Sequence, residues 1–232
     1  MMKTSDVLDL SNVAVIIPAK DEQKFIGDLI SQLLELGLTN IILVNDNSSD
    51  KTREIAEKYN TVTILDHVIN LGAGAATQTG IAYAARSHTE IITTIDADLQ
   101  HNPKDLLRLI THLRANNCDL VIGSRFLKNN NIPKKRVLYN KVGNVINLAL
   151  TGKYLTDSQS GLKAMTLRLA SHINLNYDGF EFCMEIVKQA NSSGFKIQEI
   201  PIDVTYSADT MKKGQNLASG LRMVSRILSP FS

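Results

Sequence analysis

The sequence predicts an α/β fold built on a mostly parallel sheet, and three observations carry that expectation. Short apolar runs recur through the first half, at residues 13–17, 41–44, 61–65, 91–95 and 119–123. Segments with helical spacing lie between them. Polar motifs follow the runs: Lys20-Asp21-Glu22, Asn45-Asp46-Asn47 and Asp96-Ala97-Asp98. Continuous apolar runs suit strands buried on both faces. Their alternation with helices suits right-handed parallel crossovers, with ligands at the carboxyl ends of the strands.

Each element has its own signal. The first run is closed by Pro18, and Phe25, Ile26, Leu29, Ile30, Leu33 and Leu34 then repeat at helical spacing until Gly37. Ser48, Ser49 and Asp50 offer N-caps for a helix reaching about Tyr59. A small-residue segment, 72–80, leads into a helix ending near Ser87. Asn102 and Pro103 read as a cap followed by proline at the first helical position, with Leu106, Leu107, Ile110 and Leu113 behind them. The second half is less regular. It predicts an Asn-rich loop at 128–135, helices at 136–150 and 180–190, a strand at 196–205, a loop at 211–216 and a last helix at 217–228.

Composition limits the function. With 232 residues the chain suits one domain, 13–210, preceded by a polar extension, 1–12, and followed by a loop and helix, 211–232. A net charge of +2 gives no bulk basicity for nucleic acid. Cys118 and Cys183 belong to no CxxC and read as reduced, buried thiols in a cytoplasmic protein, a disulfide or metal pair being the lesser alternative. Residues 1–12 lack a signal-peptide pattern, and no apolar run approaches the roughly 20 residues that span a bilayer. A soluble chain is expected, with any membrane contact peripheral and at the cytoplasmic face. In the last helix Leu217, Leu221, Val224 and Leu228 form an apolar stripe beside Arg222 and Arg226. That stripe suits either docking onto the domain or lying in a membrane surface.

The chemistry centres on Asp96 and Asp98, two positions apart at the end of the fourth run. Carboxylates so placed can converge on one hard cation, Mg²⁺ or Mn²⁺, together with substrate phosphates. Such a cation lets a diphosphate depart. Asp-x-Asp alone also fits solvated turn residues or helix caps. Its place directly after a strand, followed by Gln100-His101-Asn102-Pro103, adds the weight.

Together these pieces resemble the family-2 glycosyltransferases of GT-A fold, above all the dolichol-phosphate mannose synthase and polyprenyl-phosphate sugar transferase branch. The likeness runs from about Val13 to Asn216. It implies that Pro18, Ala19, Glu22, Asp46, Gly74, Asp96, Gln100 and Lys213 hold the donor, and that Asp96, Asp98 and Gln100 take the metal. Ala19 stands where the family has an aromatic residue, Asp21 where it has asparagine, Asn45 where it has aspartate, and Ala73 where lysine is common. Gly123-Ser124-Arg125-Phe126 matches a segment whose arginine contacts phosphate, and guanidinium geometry suits that role. Arg136 aligns with an arginine near the acceptor phosphate, with Lys134 and Lys135 beside it. The Asp157–Gly161 stretch, including Ser160, resembles the acceptor segment, and Glu185 an acidic residue of the next helix. Lys212 and Lys213 fall in a segment like the mobile loop that closes over the donor.

The resemblance implies transfer of a hexose, with inversion, from a nucleotide sugar of the GDP-mannose or UDP-glucose type to a polyprenyl or dolichyl phosphate. In that reading Asp98, Arg125, Arg136 and Asp157 are the catalytic set, and a separate membrane subunit is a conceivable partner. A phosphate monoester is already a nucleophile at neutral pH. The alternative acceptor is a lipid-linked or soluble saccharide hydroxyl, which needs a base, for which Asp157 is the candidate. More distant alternatives are a nucleotidyltransferase and a non-catalytic sugar-binding protein. The segment 18–22 is not the glycine-rich basic loop of the former.

Overall fold

Strand β1 (Val13–Ala19) shows why the first half folds as it does. Val13, Val15 and Ile17 enter one apolar cluster, while Ala14 and Ile16 enter the other. A strand sealed on both faces sits inside a sheet, and β1 pairs in parallel with β2 (Asn40–Asn45) on one edge and β4 (Ile91–Thr94) on the other. The computed structural model describes residues 8–206 except 88, 129, 131, 177, 178 and 180. The loop and helix expected at 211–228, with Lys212 and Lys213, lie outside the described residues.

Seven strands run in the order β3-β2-β1-β4-β6-β5-β7, where β3 is Val62–Asp66, β5 Leu120–Ser124, β6 Lys163–Thr166 and β7 Ile197–Pro201. On one face, α1 (Ile26–Glu35) and α4 (Lys104–Ala115) supply Ile26, Leu29, Ile30, Leu33, Leu106, Leu109, Ile110 and Leu113 to the core. On the other, α3 (Ala73–Ala84) and α7 (Phe182–Ser192) supply Ala76, Ile81, Phe182, Ile186 and Val187. The small residues of α3 serve packing: a Cβ on Gly80 would strike the Ile16 side chain, so the helix lies close on β1. Leu8 and Leu10 pack against the α1/α4 side, so the described end of the extension belongs to the fold.

The second half departs from expectation. Strand β6 was not foreseen. It is antiparallel to both β4 and β5 and wedged between them. It spans four residues and opens with Lys163, a charge that argues locally against a central strand. Pairing on both edges makes it one. A one-turn helix, α6 (Leu167–Ala170), follows, capped by the Thr166 hydroxyl, which accepts from Leu169 N. The expected strand at 196–205 stops at Pro201 on the sheet edge, with Ile202 N donating to Ser124 O just beyond it and a single bridge from Val204 to His101 following. Helix α2 (Thr52–Ala56) ends short of Tyr59, and α5 (Lys134–Thr151) begins two residues before Arg136, directly after Pro133. Cys118 and Cys183 are buried and free, on opposite faces of the sheet, and burial raises both thiol pKa values. Among the described residues no helix is long and apolar enough to cross a membrane.

This topology places the site. From β1 the chain proceeds outward to β2 and β3, then crosses to β4 on the other edge, so a crevice opens at the carboxyl ends of β1 and β4. Because β6 runs backwards, the turn before it arrives at that same edge of the sheet.

Candidate active site

The carboxyl ends of β1, β2, β4 and β5 surround a cavity of about 330 Å³. Pro18, Ala19, Glu22, Asp46, Asp96, Asp98, Gln100, Arg125 and Arg136 all line it, so the fold brings together residues up to 118 positions apart (136 − 18). Gly74, Asp157, Ser160 and Glu185 do not form its wall.

The acidic corner follows from a sharp turn after β4, where Leu99 adopts a φ of 56°. Gln100 N donates to Asp98 Oδ1 at 3.1 Å, and the Gln100 carboxamide nitrogen donates to Asp98 Oδ2. Arg136 Nη1 reaches Gln100 Oε1 at 3.3 Å, linking α5 to this corner. Burial pushes the Asp96 carboxyl up to about 6, and the neighbouring Asp98 charge adds to the rise. Lys163 and Arg125 oppose it. Lys163 is fully buried, donates to Ser160 O and lies 5.9 Å from the centroid of the Phe182 ring. A buried ammonium is costly unless its charge is used; here its field favours ionised Asp96. Sequence reasoning missed Lys163, whose only local signal is its place two residues after Gly161.

Gly161 sets how closely the turn approaches. A Cβ there would overlap the Asp96 carboxylate. Gly161→Ala is therefore expected to displace Asp96 and lower kcat/KM at least tenfold, while the melting temperature falls by only a few degrees. Parent-level kcat/KM in the variant would show that the Asp96 position is not critical.

His101 is also buried, with Nε2 3.8 Å from Asp96 Oδ2. Burial, with help from Arg125, pushes its pKa down to about 3. The imidazole is neutral at ordinary pH, and the contact is not an ion pair.

The basic side is built on one ion pair. Arg125 Nε and Nη2 each donate to Asp157 at 2.7 Å, Arg125 N donates to Oδ2 at 3.0 Å, and Asn140 Nδ2 donates to Oδ1 at 2.8 Å. Burial works against the guanidinium charge, but the Asp157 carboxylate more than offsets it and holds the Arg125 pKa above its usual value. Asp157 is fully buried, and its turn is tied down by Glu199, which accepts from Thr156 N and Asp157 N, and by Asn144, which accepts from Ser158 N. Asn140, Asn144 and Asn147 share one buried face of α5, a spacing the sequence itself carries.

At the carboxyl end of β2, Asp46 accepts from Leu71 N and Gly72 N at 2.8 Å each and shares a hydrogen bond with His67 Nδ1. It fixes the turn that starts α3 while standing in the cavity wall. Glu22 N donates to the Thr52 hydroxyl, and Asp46 N to Ala19 O, so backbone contacts set the β1–β2 rim. Gly74 is buried within α3, and Ser160 is fully buried behind the wall. Glu185 accepts from Asn176 N and Nδ2, holding the loop before α7.

A doubly wound α/β sheet with an acidic pair after its fourth strand and arginines opposite is the arrangement of a GT-A transferase. The family model for glycosyl transferase family 2 matches residues 14–172, and the chain belongs to that family of enzymes. It is 34% identical to the UDP-N-acetylglucosamine–dolichyl-phosphate N-acetylglucosaminyltransferase of Methanococcus voltae, over 93% of this chain and 94% of that one. It is 29% identical to the dolichol-phosphate mannosyltransferase of Pyrococcus furiosus, over 93% of this chain and 63% of the relative. The crystal structure of glucosyl-3-phosphoglycerate synthase from Mycobacterium tuberculosis with Mn²⁺, uridine diphosphate and glucosyl-3-phosphoglycerate superposes with a TM-score of 0.73, at 17% identity, covering 94% of this chain and 77% of that one.

Proposed function

We propose that this enzyme transfers a hexose, with inversion, from a nucleoside-diphosphate sugar to a polyprenyl phosphate. One observation carries the choice of acceptor. Asp157, the candidate base for a hydroxyl acceptor, is committed to Arg125 and Asn140 and buried away from the cavity. A phosphate monoester needs no base, only cations to hold it, and Arg125 and Arg136 stand in the wall. The named relatives, whose acceptors are dolichyl phosphates, support the same reading. In the displacement, an acceptor phosphate oxygen bonds to C1 as the C1–diphosphate bond breaks, and the diphosphate keeps the electron pair. Asp157 here is a positioning residue: it holds the Arg125 fork in place.

The acidic corner fits a divalent cation. Its donors are two carboxylates and a carboxamide, the oxygen set of hard cations such as Mg²⁺ or Mn²⁺. The crowded Asp96 and Asp98 charges are what a cation would relieve. Gln100 presents nitrogen to Asp98 and oxygen to Arg136; a half-turn of its terminal amide would present oxygen to the ion and release Arg136 from this corner. Bound there, the ion would neutralise charge growing on the departing diphosphate. Gly74 on the donor side, Ser160 and Glu185 behind the acceptor side, and Lys213, which lies outside the described residues, complete the proposed assignment.

A proton competes for Asp96, so Mn²⁺ affinity measured by titration calorimetry is expected to fall about tenfold per pH unit below about 6. Stability of the metal-free chain moves the opposite way. Between the ordinary carboxyl pKa and about 6, the folded state binds a proton that the unfolded state releases, so this group favours folding more as pH falls through about 6. Mn²⁺ affinity unchanged from pH 7 to 5 would remove Asp96 from the site.

The test of function is nucleoside diphosphate release, with and without Mn²⁺, against a panel of sugar donors and acceptors. Release that depends on polyprenyl phosphate and on the cation is expected. Turnover with water-soluble sugars alone would overturn the acceptor. A lipid acceptor requires work at a bilayer surface, reached by the chain's own exterior or through a separate membrane subunit.

A further inference from the structure

Helix α5 is inside out. At 100° per residue, Asn140, Gly143, Asn144 and Asn147 cluster on one side, and that side is buried. Their amides are used: Asn140 on Asp157, Asn144 on Thr156 O, Asn147 on Lys153 O. The orientation is therefore fixed by hydrogen bonds to the segment 153–157 that follows the helix. The opposite side carries Leu138, Val142, Val145 and Leu148, exposed by 59%, 50%, 67% and 40%. Tyr154 continues it at 69%. Single exposed aliphatics are ordinary, but four on one helical stripe mark an interaction surface.

Its charge says what kind. Lys134, Lys135 and Lys141 are exposed on the same side, and α5 contains no Asp or Glu. Aliphatic side chains interleaved with lysines, on a helix about 27 Å long at 1.5 Å per residue, match a segment that lies in a headgroup layer. The helix also joins the site, because Arg136, Tyr139 and Asn140 line the cavity. We propose that the outer face of α5 docks the enzyme on an anionic lipid bilayer, bringing the Arg136 side of the cavity to the surface where the acceptor phosphate is presented. This rests on the lipid-acceptor reading for its purpose, but not for its test.

The test uses the full chain, sedimented with phosphatidylcholine vesicles with or without phosphatidylglycerol. The parent should bind the anionic vesicles, and the triple variant Val142→Gln, Val145→Gln, Leu148→Gln should bind at least tenfold more weakly. Lys141→Gln should weaken binding about fivefold on anionic vesicles only. Turnover of a short-chain, water-soluble prenyl phosphate should be unchanged in the triple variant, while turnover of a long-chain acceptor embedded in vesicles drops. Undiminished vesicle binding by the triple variant, or no binding by the parent, overturns the proposal. So does a parent dimer in sedimentation velocity that the triple variant converts to monomer, since the face would then belong to a second copy. If vesicle binding follows the prediction but no prenyl phosphate is turned over, the acceptor reading fails and the docking face stands.

Discussion

Asp157→Asn is expected to damage both stability and activity. The carboxylate takes four hydrogen bonds, three of them from Arg125, and both groups lie largely out of water, with side-chain exposures of 0% and 15%. Asparagine keeps the shape but turns an N–H₂ towards a guanidinium that has nothing to accept it, and it removes the compensating charge. Breaking a buried pair from one side costs about 3–5 kcal/mol. For a chain of this size that is a melting temperature lower by roughly 6–20 °C. Arg125, released from its fork, should also lose the hold on phosphate proposed for it, and kcat/KM should fall by on the order of 10²–10³. A general base would show a different pattern: lost kcat, an altered pH profile and an unchanged melting temperature. Parent-like stability in the variant would sink the positioning role.

Asp98→Asn should separate function from stability in the opposite direction. Its charge helps to raise the Asp96 pKa, so in the metal-free fold the two carboxylates oppose one another. Removing one charge relieves that repulsion. The melting temperature without metal should stay level or rise slightly, while Mn²⁺ binding and turnover fall by on the order of 10²–10³. Full activity with normal folding would remove Asp98 from the metal site.

The two variants bracket what was legible beforehand. Asp96, Asp98 and Gln100 were readable because their neighbours in space are also neighbours in sequence: a strand end, a tight turn and a chelating spacing lie within ten residues. Arg125 was readable for the same reason, at the end of β5. Asp157 was visible as part of a turn, but its partner was not, because Arg125 lies 32 positions away. Lys163 was invisible for a stronger reason. Nothing local favours burying a lysine in a four-residue strand; only β4 and β5 on either side, and the field of Asp96, make that site tolerable.

What the sequence determined by itself is the first half: apolar runs sealed on both faces, helices between them, and carboxylates at the strand ends. Those depend on period and on local turns, which a single chain records directly. The tertiary structure decided the reversed strand β6, the pairing of Asp157 with Arg125, and the side of α5 that faces inward. Hydrophobic pattern alone would have turned Leu138, Val142 and Val145 into the core. The hydrogen bonds of Asn140 to Asp157 and of Asn144 to Thr156 O hold the helix the other way, and such bonds exist only once the helix has met the turn that follows it.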